Sequence, residues 1–335
     1  MSISFIRVDD RMIHGQTCTR WALEYPCDGL IAVNDKAATT PVLKAAYKNA
    51  SDKKTFVWTL DEWRAKCGKV LASMDIDGTL LDSAHRLPSA NREAVQFAAK
   101  NGAAICLMSA RPPRAVFPIR DVLGVDGPLA CCGGGLILAG EKRLADSRLT
   151  RECTRAVLHE TQARHIHLSV YRDLDWLIAA EDEWSRAEAQ ITGIQPTVAP
   201  LETLFSSWNA DAGAHKLLCM GERNKIDELL PVLEAKHLPM TLVRSKDEYL
   251  EVVPAGAGKD TAMRALCEAL GLTPAEVIAL GDHDIDAPLL RAAGLGIAMG
   301  NASAEARAAA DEVTASCDED GVAHAIYRHI EEVQA

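Results

Sequence analysis

Positive charge is in short supply in this chain. Lys and Arg total 36 against 47 Asp and Glu, a formal net charge of −11 over 335 residues. That balance argues against a nucleic-acid partner and against an anionic membrane surface, both of which recruit basic patches. Long apolar runs are missing too: none approaches the roughly 20 residues that span a bilayer. The N-terminus, MSISFIRVDD, lacks the apolar core of a signal peptide. The ten cysteines include no CxxC pair, and the adjacent Cys131-Cys132 make poor zinc ligands. Cys18, Cys106, Cys219 and Cys267 fall inside apolar patterns, where a thiol acts as a small hydrophobe. Together these absences predict a reducing, cytoplasmic setting. A nucleotide-binding loop is also lacking. Gly258-Lys259 looks like the end of GxxxxGK[ST], but Val253 and Asp260 stand where glycine and Ser/Thr are required. His165 and His167 could share a strand face, yet no third metal ligand accompanies them, so a surface pair is expected.

What is present is ordinary for a globular protein, with 48% hydrophobic and 25% charged residues, and long enough for two or three domains. The chain is organised around Val70–Leu81, VLASMDIDGTLL. An apolar run ending at a glycine turn predicts a buried strand. Side chains repeat every second residue along a strand, so Asp75 and Asp77 are expected on one side at its C-terminal end. Open parallel sheets bind ligands at that edge. Two such close carboxylates resist ionising together unless a cation neutralises them.

Before this stretch, strands are predicted at Ser4–Val8, Gly29–Val33 and Lys54–Trp58, with helices around His14–Glu24, Pro41–Ala50 and Leu60–Cys67. After it, strand and helix patterns alternate through residue 145, and Pro112-Pro113 opens a helix. A change of pattern near Asp146 marks an α+β insertion over residues 146–245, and the alternation resumes at Tyr249–Pro254. Within the insertion Tyr171 and Trp176 are candidates to face a ligand, though such aromatics more often pack in a core. The predicted class is α/β: a Rossmann-like parallel-sheet core (70–145 and 246–335), an inserted α+β cap (146–245) and a short α/β module (1–69).

Four segments reach the same sheet edge: Asp75/Asp77, Ser109, Lys259 and Asp282/Asp286. One carboxylate can attack phosphorus, while a second protonates the leaving oxygen and then activates water. A lysine and a hydroxyl donor can hold the phosphoryl group. Mg²⁺, a hard ion that takes carboxylates and phosphate oxygens, would relieve the repulsion between these anions.

The strings DIDGTLLD, ICLMSAR, EVVPAGAGKDTAM and VIALGDHDIDAPLLRAAGLGIAMGNA resemble the haloacid dehalogenase-like hydrolase superfamily, in its Cof-type sugar-phosphatase branch, over residues 70–335. The resemblance implies Asp75 as nucleophile, Asp77 as general acid/base and Lys259 as a catalytic cation. It implies Thr79, Ser109, Ala110 and Lys259 as substrate-binding residues. It further implies Mg²⁺ at Asp75, Asp77 (through its backbone carbonyl) and Asp282, with Asp286 supporting metal and lysine. Departures are Ser109-Ala110 for the usual Thr-Gly, Gly133 for Asn and Ile285 for Asn.

The N-terminal string FIRVDDRMIHGQTCTRW resembles the IIB component of mannose/sorbose-type sugar phosphotransferase systems over residues 1 to about 72, under half of such a domain. That implies His14 as a phosphohistidine, helped by Arg11, with phosphotransferase-system proteins as partners. The short module's open sheet edge needs cover, either from the hydrolase part or from a second copy of the chain, making a homo-oligomer. The leading expectation is an Mg²⁺-dependent phosphatase acting on a small phosphorylated metabolite, a sugar phosphate. The alternatives are a phosphocarrier working through His14 and a non-catalytic sugar-phosphate sensor.

Overall fold

The computed structural model describes residues 29–33, 35–48, 54–58 and 70–330. The strand expected at Ser4–Val8, the helices expected at His14–Glu24 and Leu60–Cys67, and the residues Arg11, His14 and Cys18 lie outside the described residues. The chain divides into two compact units, Met1–Lys69 and Val70–Ala335.

In the first unit β1 (Gly29–Val33) is followed by α1 (Asp35–Thr39), α2 (Pro41–Lys48) and β2 (Lys54–Trp58). The two strands pair in parallel, Gly29 opposite Lys54 and Val33 opposite Trp58. Buried Ala37, Ala38 and Val57 pack together with Leu43 against them.

The second unit begins with β3 (Leu71–Asp75), α3 (Ser89–Lys100), β4 (Ala104–Met108), α4 (Pro113–Leu123), β5 (Leu129–Cys131), β6 (Leu136–Ala139) and β7 (Lys142–Asp146). After a second layer it returns with α9 (Lys259–Leu270), β14 (Val277–Gly281), α10 (Ala287–Ala292), β15 (Leu295–Ala298), α11 (Ala304–Ala309), β16 (Glu312–Val313) and α12 (Gly321–His329). Eight strands form one sheet in the order β16-β15-β14-β3-β4-β5-β6-β7. Pairing is parallel from β16 to β5 and antiparallel for the β5–β6–β7 meander. The predicted mixed α/β fold with a parallel core sheet is therefore the observed one.

Strand alternation decides which helix each side chain meets. Ala72 and Met74 of β3 face one apolar cluster with Ala94 and Val95 of α3 and Val322 and Ile326 of α12. Leu71 faces the other, with Met263 and Leu266 of α9 and Leu289 of α10. Burial of each such Leu or Met side chain contributes about 1.5–3 kcal/mol. Asp75 has the parity of Leu71, which sends its carboxylate toward the α9 face.

The second layer comprises α5 (Arg151–Ala163), β8 (His167–Arg172), β9 (Asp175–Ile178), α6 (Glu183–Thr192), β10 (Thr197–Val198), α7 (Leu201–Ser207), β11 (Lys216–Met220), α8 (Arg223–Glu234), β12 (Met240–Lys246) and β13 (Tyr249–Pro254). Its six strands run β10-β9-β8-β11-β13-β12. Strand β13, expected to rejoin the core, instead pairs antiparallel with β11 and β12. Two short crossings join the layers, Ser147–Thr150 and Ala255–Gly258.

Tyr171 and Trp176 are each only 1% exposed, which removes the ligand-facing alternative. Their rings lie 5.9 Å apart, Trp176 Nε1 donates to Ser169 Oγ at 2.8 Å, and Tyr171 Oη donates to Glu188 at 3.3 Å. His167 is not a surface residue either: it is buried, with Nδ1 2.7 Å from Asp182 and Nε2 3.0 Å from Ser169. Cys106, Cys219 and Cys267 are buried free thiols, as expected. Among the described residues no helix is long and apolar enough to cross a membrane.

The first crossing is pinned by charge. Asp146 and Asp173 are bridged by Arg143 and Arg148, and Nε2 of fully buried His215 lies 2.9 Å from Asp146. His215 Nδ1 accepts from the Asp173 N–H at 3.0 Å, so Nε2 carries the ring proton and donates it to Asp146. Burial alone would raise the Asp146 carboxyl, but hydrogen bonds from Arg148, Arg143 and His215 outweigh it and hold the group below the ordinary range. A depressed carboxyl contributes stability that is complete above its unfolded value of about 4 and fades as pH falls below it. Asp146→Asn is therefore expected to cost about 1–3 kcal/mol at pH 7. Urea midpoints should show the gap to the parent shrinking toward pH 3; a gap equal at both pH values would mean that only packing was lost.

Candidate active site

Strand β3 sits where the chain reverses its direction of travel across the sheet, with β4 on one side and β14 on the other. Such switch points open a crevice at the strand C-termini. Asp75 ends β3, Ser109 follows β4, and Asp282 follows β14. The topology thus gathers three separated segments, and α9 adds Lys259 at its first position.

Lys259 Nζ lies 2.5 Å from Asp75 Oδ1 and 2.5 Å from Asp286 Oδ1, in a triad where all three side chains are under 10% exposed. Asp286 Oδ2 accepts from the backbone N–H groups of Asp282 and His283, at 3.1 and 3.0 Å. Asp282 accepts from Thr79 Oγ1 at 2.8 Å. Asp77 lies past the strand, which stops at Asp75, so alternation does not extend to it as expected. It turns instead to Arg111, whose Nε and Nη2 meet its two oxygens at 2.7 and 2.5 Å, and to His85 Nδ1 at 3.1 Å.

These surroundings drive the two aspartates apart electrostatically. Burial raises Asp75 strongly; Lys259 opposes this, while Asp286, Asp282 and Asp77 add to it. Burial would raise Asp77 as well, but Arg111 and then His85 outweigh it and hold that carboxyl low. Lys259 stays charged, because Asp286 and Asp75 outweigh the burial that would discharge it. Asp282 is pushed up to about 6, chiefly by burial and against the Thr79 hydrogen bond, with the charge of Asp286 adding.

Oxygens of Asp75, Asp282 and Asp286 lie within 4.8 Å of one another. A donor set of carboxylates in which burial and mutual repulsion hold Asp75 and Asp282 high, with one lysine to balance it, is suited to a hard divalent cation. The second acidic group, Asp146, Asp173 and His215, does not fit a metal: two arginines already neutralise it, and His215 Nδ1 is occupied.

Gly78 has φ +78°, and a Cβ there would stand 2.4 Å from Asp282 Oδ2, so only glycine fits between the two acidic segments. Gly133, where the hydrolases that the sequence resembles carry asparagine, has φ +66°, a left-handed conformation that these two residue types favour. Thr79, expected to bind substrate, is fully buried and spends its hydroxyl on Asp282. Ser109 is buried, and its Oγ accepts from the Arg111 N–H at 3.1 Å, which leaves the hydroxyl proton available. Ala110 is half-buried beside it. Ile285 lies in the one-turn helix Asp284–Asp286 and is half-buried.

The sequence model of the haloacid dehalogenase-like hydrolases matches residues 72–326. The chain belongs to that family. A Haemophilus influenzae relative of this haloacid dehalogenase-like hydrolase is 31% identical over 252 residues, covering 74% of this chain and 94% of its own. The 5-amino-6-(5-phospho-D-ribitylamino)uracil phosphatase YwtE of Bacillus subtilis is 27% identical, with 76% of this chain and 96% of that one covered. A haloacid dehalogenase-like hydrolase of Bacteroides thetaiotaomicron, known by crystal structure, superposes with a TM-score of 0.70 at 28% identity, covering 77% of this chain and 98% of that one. This hydrolase is an enzyme of the phosphatase class. The sequence model of the sorbose-subfamily phosphotransferase IIB component matches residues 3–81, running past the expected limit near 72 and beyond the end of β3.

Sequence reasoning assigned no task to Arg111 or His85. Arg111 was within reach, since it lies two residues after Ser109 in a segment already placed at the site. His85 was not, because a loop histidine gives no spacing signal. Arg111→Lys keeps a charge but loses the two-point grip on Asp77. It should lower kcat at least about tenfold with the melting temperature nearly unchanged. Steady-state kinetics beside thermal unfolding would test this, and an unaltered kcat would separate Arg111 from the chemistry.

Proposed function

We propose that this enzyme hydrolyses a small phosphate monoester, a sugar phosphate by the Cof-type resemblance, through an aspartyl-phosphate on Asp75, with residues 147–254 as the cap that selects substrate. The carrying observation is the pair Asp75 and Asp77, close in the chain but set in opposite environments, one on Lys259 and the other on Arg111.

In the first displacement an Asp75 oxygen forms a bond to phosphorus as the ester P–O bond breaks. Lys259 balances charge on the transferring group, and the Ser109 hydroxyl donates a hydrogen bond to a phosphoryl oxygen. The leaving oxygen takes a proton from Asp77. Arg111 favours the ionised form of Asp77, but an incoming phosphate anion opposes it, so substrate itself promotes the protonated acid. In the second displacement Asp77, ionised once more and held by Arg111, takes a proton from water. The water oxygen bonds to phosphorus, and the Asp75–phosphorus bond breaks to free phosphate. Asp75, Asp282 and the Asp77 carbonyl are the proposed Mg²⁺ ligands, with Asp286 in support. Bound there, Mg²⁺ supplies the Lewis-acid charge that lets two carboxylates approach a phosphate.

Phosphate release by the purified chain should require Mg²⁺ and stop on chelation. Asp75→Asn should abolish it with the fold intact, and full activity in that variant would remove Asp75 as nucleophile. Lys259→Ala should cost at least about a hundredfold; near-parent rates would place Lys259 outside the chemistry.

For the N-terminal module we infer no part in hydrolysis and no phosphoryl transfer of its own. His14→Ala should leave phosphate release unchanged. Phosphohistidine at His14, after incubation with the general phosphotransferase proteins and a phosphate donor, would overturn this reading in favour of a carrier.

A further inference from the structure

One charged residue of the second layer reaches the turn that carries Ser109. Lys216 opens β11, is 4% exposed, and donates from Nζ to the Ala110 carbonyl at 2.7 Å. Its charge is balanced by Glu251 of β13 at 3.0 Å, itself 8% exposed, and it sits 5.4 Å from the centre of the Tyr171 ring. A buried lysine is costly unless paired and hydrogen-bonded, and this one has both.

The carbonyl it holds has a particular place in the site. The Ala110 C=O and the Arg111 N–H are two ends of one planar peptide group. The N–H end donates to Ser109 Oγ, and the Arg111 side chain grips Asp77. The rest of the turn is fixed from within the core: Ser109 N–H donates to the Ala130 carbonyl, Gly133 N–H to that of Ser109, and Cys132 N–H to that of Arg111. The orientation of the 110–111 peptide is thus set from inside by Ser109 and from the second layer by Lys216.

We propose that Lys216, neutralised by Glu251, is a positioning residue for phosphoryl transfer: by holding the Ala110–Arg111 peptide it aims the Ser109 hydroxyl at the phosphoryl group and seats Arg111 on Asp77. Lys216 acts on the phosphoryl end of the substrate, through the turn, and not on the leaving group. The inference rests on the phosphoryl-binding role read for Ser109 above.

The test is Lys216→Met, with the double variant Lys216→Met/Glu251→Leu to keep the fold where an unpaired buried Glu251 would unsettle it. With saturating Mg²⁺, kcat/KM for a small aryl phosphate and for a sugar phosphate should fall together, by about 10–100-fold. The inhibition constant of orthovanadate, which occupies the phosphoryl position alone, should rise by a similar factor. Ser109→Ala, measured alongside, should also weaken orthovanadate. If Ser109→Ala leaves orthovanadate unaffected, the reading of Ser109 fails. If Ser109→Ala weakens it while both Lys216 variants bind it as the parent does, this inference alone is overturned, and Lys216 merely packs the second layer. A loss confined to the sugar phosphate would overturn it too, since Lys216 would then serve the leaving group.

Discussion

The ammonium of Lys259 held between Asp75 and Asp286 is the contact on which the site depends. Without it, two buried carboxylates and a half-buried third would share one small volume and would take up protons or push the loops apart. The lysine fixes Asp75 at the end of β3 and Asp286 at the start of α10, joining two neighbouring strands across the crevice. It leaves acidity over, because one positive charge does not balance Asp75, Asp282 and Asp286. That surplus suits the proposed divalent cation and, through it, the proposed phosphate substrate.

Around this contact the two aspartates of a single turn are divided between two partners of different geometry. Lysine gives Asp75 a point charge and leaves its second oxygen outside that ion pair, as the proposed role of nucleophile requires. Arginine takes both oxygens of Asp77 in a planar grip, which fixes its orientation. The same turn that supplies Arg111 carries Ser109, so the proposed donor for phosphate and the holder of the proposed acid share one short piece of backbone. The second layer touches that piece through Lys216.

Much of this was legible in the sequence because it follows from period and adjacency. The apolar run of β3, the strands of the parallel sheet and the order of the acidic segments fix which residues meet at one edge, and Asp75, Ser109, Lys259, Asp282 and Asp286 do meet there or follow its strands. What the sequence alone left open depended mostly on partners distant in the chain. Alternation could not show that β3 ends at Asp75 and that Asp77 turns toward Arg111. Strand β13 reads like any buried strand, and only its pairing with β11 assigns it to the second sheet. Helix α7, at seven residues, is too short to display a period. Tyr171, Trp176 and His167 have the chemistry of ligand-facing residues, but Glu188, Ser169 and Asp182 satisfy them inside the fold. Thr79 lies in the right segment, yet its hydroxyl is taken by a residue 203 positions away.

The two crossings between the layers, Ser147–Thr150 and Ala255–Gly258, are each four residues long, and the second runs straight into Lys259. A body tied at two points can turn only about the line through the ties, and here only with release of the Lys216–Ala110 contact. That axis passes beside the lysine, so a swing of the second layer moves its far elements widely while Lys259 hardly shifts.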